Sequence, residues 1–131
     1  MTNTKKVILV LEDERPLLQA IKIKLEKSGF EVVSSRNVEQ AKIHINEILK
    51  VDVIWLDHYL IGKGDGLDFI AWCKEGTNNK CNQIPIFVVS NTVSSDKVAS
   101  YIKLGATKYY VKSNHKLDEI VQEIHKSLEI N

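Results

Sequence analysis

The sequence predicts an α/β domain in which five parallel strands alternate with five helices that cover both faces of one sheet. Three observations predict it. Short, continuous apolar runs rich in β-branched residues recur along the chain, as strands buried on both faces require. Between these runs the apolar residues fall at helical spacing. The two patterns alternate in a (βα)5 order, which implies right-handed crossovers and a doubly wound sheet.

The first run, Val7-Ile8-Leu9-Val10-Leu11, is the clearest strand. Leu17, Leu18, Ile21 and Leu25 then form a helical stripe, with Pro16 in its first turn and Gly29 placed to end it. Phe30 to Ser34 is a weaker strand. Val38, Ala41, Ile45, Ile48 and Leu49 make the second helix, and Asn37 and Gln40 stand in capping-box spacing at its start. Val53-Ile54-Trp55-Leu56 is the third strand, and Leu67, Ile70 and Ala71 open the third helix. The segment Gly76 to Gln83 is polar and Asn-rich and reads as a surface loop. Ile86-Phe87-Val88-Val89 is the fourth strand. The fourth helix carries Val98, Tyr101 and Ile102 between the cap candidates Ser94 and Ser95 and the terminator Gly105. Tyr109 to Val111 is a weaker fifth strand. Leu117, Ile120, Val121, Ile124 and Leu128 form the last helix.

With 131 residues the chain has the length of one domain, spanning residues 1–131, and needs no staple to fold. Hydrophobic residues are 44% and charged residues 27%, the balance of a globular protein rather than a disordered one. Eighteen basic and seventeen acidic side chains leave a net charge of +1, which argues against a nucleic-acid or membrane surface. No apolar run reaches the length of a signal-peptide core or a membrane span. The expected setting is cytoplasmic. Cys73 and Cys81 are read accordingly as reduced packing or loop residues.

In open α/β sheets ligands bind beyond the carboxyl ends of the strands, so the residues that follow each strand matter most. Glu12, Asp13 and Glu14 follow the first, Asp57 the third, Ser90 and Asn91 the fourth, and Lys112 the fifth. Carboxylates, a hydroxyl and an ammonium thus converge on one end of the sheet. Such a set suits Mg²⁺ and a phosphoryl group. Mg²⁺ takes hard oxygen ligands, and a dication removes the repulsion between crowded carboxylates. A carboxylate can also be the nucleophile, accepting phosphate as an acyl phosphate. Phosphoryl transfer otherwise needs mainly positioning and charge neutralisation.

Four segments carry a family resemblance, each at a strand end: Val10-Leu11-Glu12-Asp13-Glu14, Val53-Ile54-Trp55-Leu56-Asp57, Val88-Val89-Ser90, and Gly105-Ala106-Thr107-Lys108-Tyr109-Tyr110-Val111-Lys112. Over nearly its whole length the chain resembles the receiver domain of two-component response regulators. The resemblance implies a flavodoxin-like connectivity with strand order 2-1-3-4-5, which periodicity alone does not give. It implies that Asp57 accepts a phosphoryl group from a histidine kinase or a histidine phosphotransfer protein. It implies that Mg²⁺ is held by Glu12, Asp13, Asp57 and the backbone carbonyl of Tyr59. Ser90 and Lys112 would contact phosphoryl oxygens, and Ser90 and Tyr109 would form the switch. The output face would be the fourth helix, the fifth strand and the fifth helix, presented to a protein target. The implied role is a signalling switch rather than a turnover enzyme.

The sequence departs from the family pattern in places. Ser113 follows Lys112 where a cis proline is usual, which predicts a trans bond and a different loop. The loop after Asp57 is one residue longer than usual, has Ile61 where proline is common, and carries Gly62, Gly64 and Gly66. Asn91 is larger than the usual alanine, and Tyr59 and Thr92 lie beside positions that tune phosphoryl lifetime in the family. His44, His115 and His125 are too scattered to form a ligand set and read as surface or helix-edge residues. His58, beside Asp57, is the histidine whose charge would matter to the site. Trp72 suits core-edge packing better than a partner surface. Two other readings remain open at this point: a receiver fold that binds partners without phosphorylation, and a receiver cut from a longer regulator.

Overall fold

A computed structural model of the chain describes residues 5–48, 50–75, 81–91 and 94–128. Its strands are β1 (Val7–Leu11), β2 (Glu31–Ser35), β3 (Val53–Leu56), β4 (Ile86–Ser90) and β5 (Lys108–Val111). The helices between and after them are α1 (Arg15–Lys27), α2 (Val38–Glu47), α3 (Gly66–Glu75), α4 (Ser95–Leu104) and α5 (Leu117–Ser127). All strand pairs are parallel, in the order β2-β1-β3-β4-β5. The alternation and the strand order are those expected. Leu49, Thr92 and residues 76–80 of the Gly76–Gln83 loop lie outside the described residues.

Strand alternation divides the core in two. Leu9, Leu11, Ile54, Leu56, Ile86 and Val88 face Ala41, Ile45, Phe69, Ile70 and Tyr101 from α2, α3 and α4. Ile8, Val10, Val53, Trp55, Phe87 and Val89 face Leu18, Ile21, Leu25, Ile120, Val121 and Ile124 from α1 and α5. β1, β3 and β4 are therefore apolar on both faces, which explains their unbroken hydrophobic runs. Burying each such aliphatic side chain contributes roughly 1.5–3 kcal/mol.

Local signals set the helix ends. Gly29 follows α1 with φ +96°, and Gly105 closes α4 with φ +114°, conformations that side-chain-bearing residues rarely adopt. Asn37 caps α2 by accepting the Gln40 N–H at 2.7 Å. The Gln40 side chain does not complete a box on Asn37. It accepts the Arg36 N–H at 2.8 Å, one residue earlier, because the entering chain is extended there. Asn37→Ala should lower unfolding stability by about 1 kcal/mol, the usual value of such a cap, measured by urea denaturation.

Two sequence expectations change. Cys73 and Cys81 are paired as a disulfide, not separate packing residues. The end of α3 and the turn leading into β4 bring their Cα atoms to 5.0 Å, within the span a disulfide bridges. The α4 stripe is narrower than Val98, Tyr101 and Ile102 suggest: Tyr101 is the buried residue of that helix, while Ile102 is half exposed. Trp72 lies between α2 and α3, its ring 5.9 Å from Phe69 and beneath the Lys42 ammonium at 5.5 Å, so it is core-edge packing. Among the described residues the peptide bonds are trans, the one joining Lys112 to Ser113 included, and Lys112–Asn114 form a single 3-10 turn.

Candidate active site

Register determines which residues meet. Leu11 pairs with Leu56, so Glu12 and Asp57 leave their strands side by side. The Asp57 N–H donates to the Leu11 carbonyl at 3.0 Å, and the Glu12 N–H to the Ser35 carbonyl at 3.0 Å. Leu56 pairs with Val88, and Ser90 with Val111, which brings Ser90 and Lys112 to the same edge. Carboxylate oxygens of Glu12, Asp13 and Asp57 all lie within 4.8 Å of one another. Glu12 and Asp57 are buried, and Asp13 is partly so.

Lys112 reaches this cluster from β5. Its ammonium donates to Glu12 Oε1 at 3.1 Å and lies 3.6 Å from Asp57 Oδ1. One cation faces three carboxylates, and burial works against charge. Desolvation, then the Glu12 charge, push the Asp57 carboxyl up to about 6, against the pull of Lys112. Glu12 is also raised, chiefly by burial. A divalent cation suits this donor set: the oxygens are hard, they converge, and their crowding is relieved by positive charge. The cluster could therefore hold a metal.

The family model described as the response regulator receiver domain matches residues 8–125. The chain belongs to that family. Among relatives, the receiver is 30% identical to the phosphate regulon transcriptional regulatory protein PhoB of Pseudomonas aeruginosa, covering 82% of the chain and 45% of PhoB. It is 31% identical to the alkaline phosphatase synthesis transcriptional regulatory protein PhoP of Bacillus subtilis, covering 82% of the chain and 42% of PhoP. It thus spans less than half the length of these relatives. Among solved structures it resembles the phosphorylated cyanobacterial phytochrome response regulator RcpA, with TM-score 0.79 and 26% identity over 96% of this chain and 92% of that one. The Mn²⁺-bound response regulator Rcp1 gives TM-score 0.82 and 26% identity, covering 96% of both chains. Among the described residues of the receiver, no helix is long and apolar enough to cross a membrane.

The remaining candidate residues of the receiver surround the acidic cluster. Ser90 is fully buried, and the Tyr109 hydroxyl is hydrogen-bonded to its side chain. Tyr109 thus already sits beside Ser90. Tyr59 carries an exposed ring set edge-on to His58 at 4.6 Å, so its side chain stands at the mouth of the site. His58 is buried, and burial lowers its pKa.

Two supports of the site were not legible in the sequence. Arg36, at the start of the α2 approach, donates through Nη2 at 2.9 Å and Nε at 3.3 Å to the Asp13 carbonyl, holding the acidic turn. No local pattern marks an arginine whose partner lies 23 positions away. Tyr101, read only as one of a helical stripe, sends its hydroxyl to His58 Nδ1 at 2.6 Å. The clue was its size at the inward position of α4.

Proposed function

We propose that this receiver accepts a phosphoryl group on Asp57 from a histidine kinase or histidine phosphotransfer protein and so changes its α4–β5–α5 face. The carrying observation is the convergence of Glu12, Asp13, Asp57 and Lys112 at the carboxyl end of the sheet. An Asp57 oxygen attacks the phosphorus atom; the new P–O bond forms as the bond to the donor's leaving group breaks. The His58 N–H, donating to Asp57 Oδ1 at 2.9 Å, orients the carboxylate for that attack. Lys112 and the Ser90 hydroxyl serve the phosphoryl oxygens. Glu12, Asp13, Asp57 and the Tyr59 carbonyl would hold Mg²⁺, which would neutralise charge on the carboxylates and the transferring group. Likeness to a phosphorylated RcpA and a Mn²⁺-bound Rcp1 supports both parts of the reading.

Intact-mass spectrometry after incubation with a small acyl phosphate tests this. A single Mg²⁺-dependent phosphoryl adduct is expected on wild type and none on Asp57→Asn; an undiminished adduct on the variant refutes the assignment.

A second reading, constant partner binding without phosphorylation, draws on the hydrogen bond that already joins Tyr109 to Ser90. It predicts a partner affinity indifferent to Mg²⁺ and phosphodonor.

A further inference from the structure

We infer that Tyr101 is a positioning residue for Asp57, a strut that ties the acceptor loop to α4; this rests on the assignment of Asp57 as acceptor. Tyr101 is the buried residue of this helix, fully enclosed, while the neighbouring Ile102 is half exposed. From α4 the Tyr101 hydroxyl passes under the β3–α3 loop and hydrogen-bonds His58 Nδ1 at 2.6 Å. The two rings meet edge to face at 5.7 Å. On its other side the His58 ring has Nε2 3.8 Å from Asp65 Oδ2, so both ring nitrogens face a polar group.

The backbone of His58 is fixed at both ends as well. Its N–H donates to Asp57 Oδ1 at 2.9 Å, and its carbonyl accepts the Gly66 N–H at 2.9 Å. Restraint of the His58 ring is therefore restraint of the amide that aims the Asp57 carboxylate. Gly66 makes the path possible, because a Cβ there would land on the Tyr101 hydroxyl. Tyr101 also packs 5.7 Å from the Tyr109 ring, and Tyr109 reaches Ser90. One side chain of α4 thus touches both the acceptor loop and the tyrosine that contacts Ser90. Because coupling between sites is reciprocal, a ligand that moves α4 changes how Asp57 is held, and phosphorylation changes how α4 is held.

Tyr101→Phe removes the hydroxyl and keeps the ring, so the fold is retained while His58 Nδ1 loses its buried partner. Two measurements decide the proposal. In the donor-free protein, hydrogen exchange followed by mass spectrometry should show faster exchange in both 58–66 and 95–104, with residues 15–27 unchanged. Loosening confined to 95–104, spread equally over all three segments, or absent, overturns the strut. With a small acyl phosphate and Mg²⁺, the maximal rate of adduct formation should fall roughly five- to tenfold, the value of one net hydrogen bond, with half-saturating donor concentration unchanged. A wild-type rate in Tyr101→Phe overturns it too. If wild type itself forms no adduct, the acceptor assignment fails, while the donor-free exchange measurement still decides whether the hydroxyl couples the two segments.

Discussion

Metal-free protein carrying Asp57→Asn should be more stable than wild type at pH 7.5, by about 2–3 kcal/mol. The residue is 4% exposed and its folded-state pKa, about 6, lies above the ordinary carboxyl value of 3.8. Between those values the folded protein holds the extra proton. Stability therefore falls as pH rises through this window, and the full penalty is present above it. Below the lower value both states are protonated, and the variant and wild type should converge. Asparagine keeps the shape and still accepts the His58 N–H, so charge is the principal change. For a chain of 131 residues the expected rise in Tm is roughly 7–11 °C. Saturating Mg²⁺ should raise wild type more than the variant, since a ligand of the folded state stabilises by mass action. Thermal unfolding at pH 3 and pH 7.5, with chelator and with Mg²⁺, checks all of this. A variant no more stable than wild type at pH 7.5 would mean that the acidic cluster carries no such strain.

Gly66→Ala should destabilise the protein by about 3 kcal/mol, at the upper end for overpacking. The added methyl would fall on the Tyr101 hydroxyl, 2.8 Å from the Asp57 carbonyl oxygen and 3.1 Å from His58 Cα. Two of these neighbours are backbone, and the third ends a rigid ring enclosed on every side, so none can yield cheaply. The φ of this glycine is not left-handed; it is small because of what lies against it, unlike Gly62 and Gly64, whose φ values are +81° and +88°. Adding Tyr101→Phe to Gly66→Ala should recover part of the loss and leave the backbone clash. Urea denaturation of the single and double variants measures both effects. A loss under about 0.5 kcal/mol, the range of ordinary surface changes, would contradict the packing.

The sequence made the fold legible because its main signals are local. Val7–Leu11, Val53–Leu56 and Ile86–Ser90 show their burial in consecutive residues, and Asn37, Gly29 and Gly105 act on adjacent turns. The site was legible for a related reason. A parallel sheet places all strand ends together, so Glu12, Asp57, Ser90 and Lys112 could be grouped without knowing any distance. What stayed hidden depends on contacts between elements. His58 and Tyr101 are 43 positions apart, and Arg36 and Asp13 are 23. Neither pair belongs to a repeating pattern. The Cys73–Cys81 pairing was missed because the composition argued for reduced thiols, whereas the approach of α3 to the turn before β4 is a tertiary fact.

The hydrogen bond between Lys112 and Glu12 spans 100 positions, which bears on how the chain is made. Synthesis proceeds from the amino end at about 5–20 residues per second, so several seconds separate the appearance of Asp57 from that of Lys112. During that interval the three acids exist without their ammonium, on strands that still lack β5. Every strand pairing is also parallel and non-local, the kind of contact that forms slowly. The proposed acceptor site is therefore incomplete until β5 has been made, and a chain cut before Lys112 lacks the ammonium that faces Asp57 and Glu12.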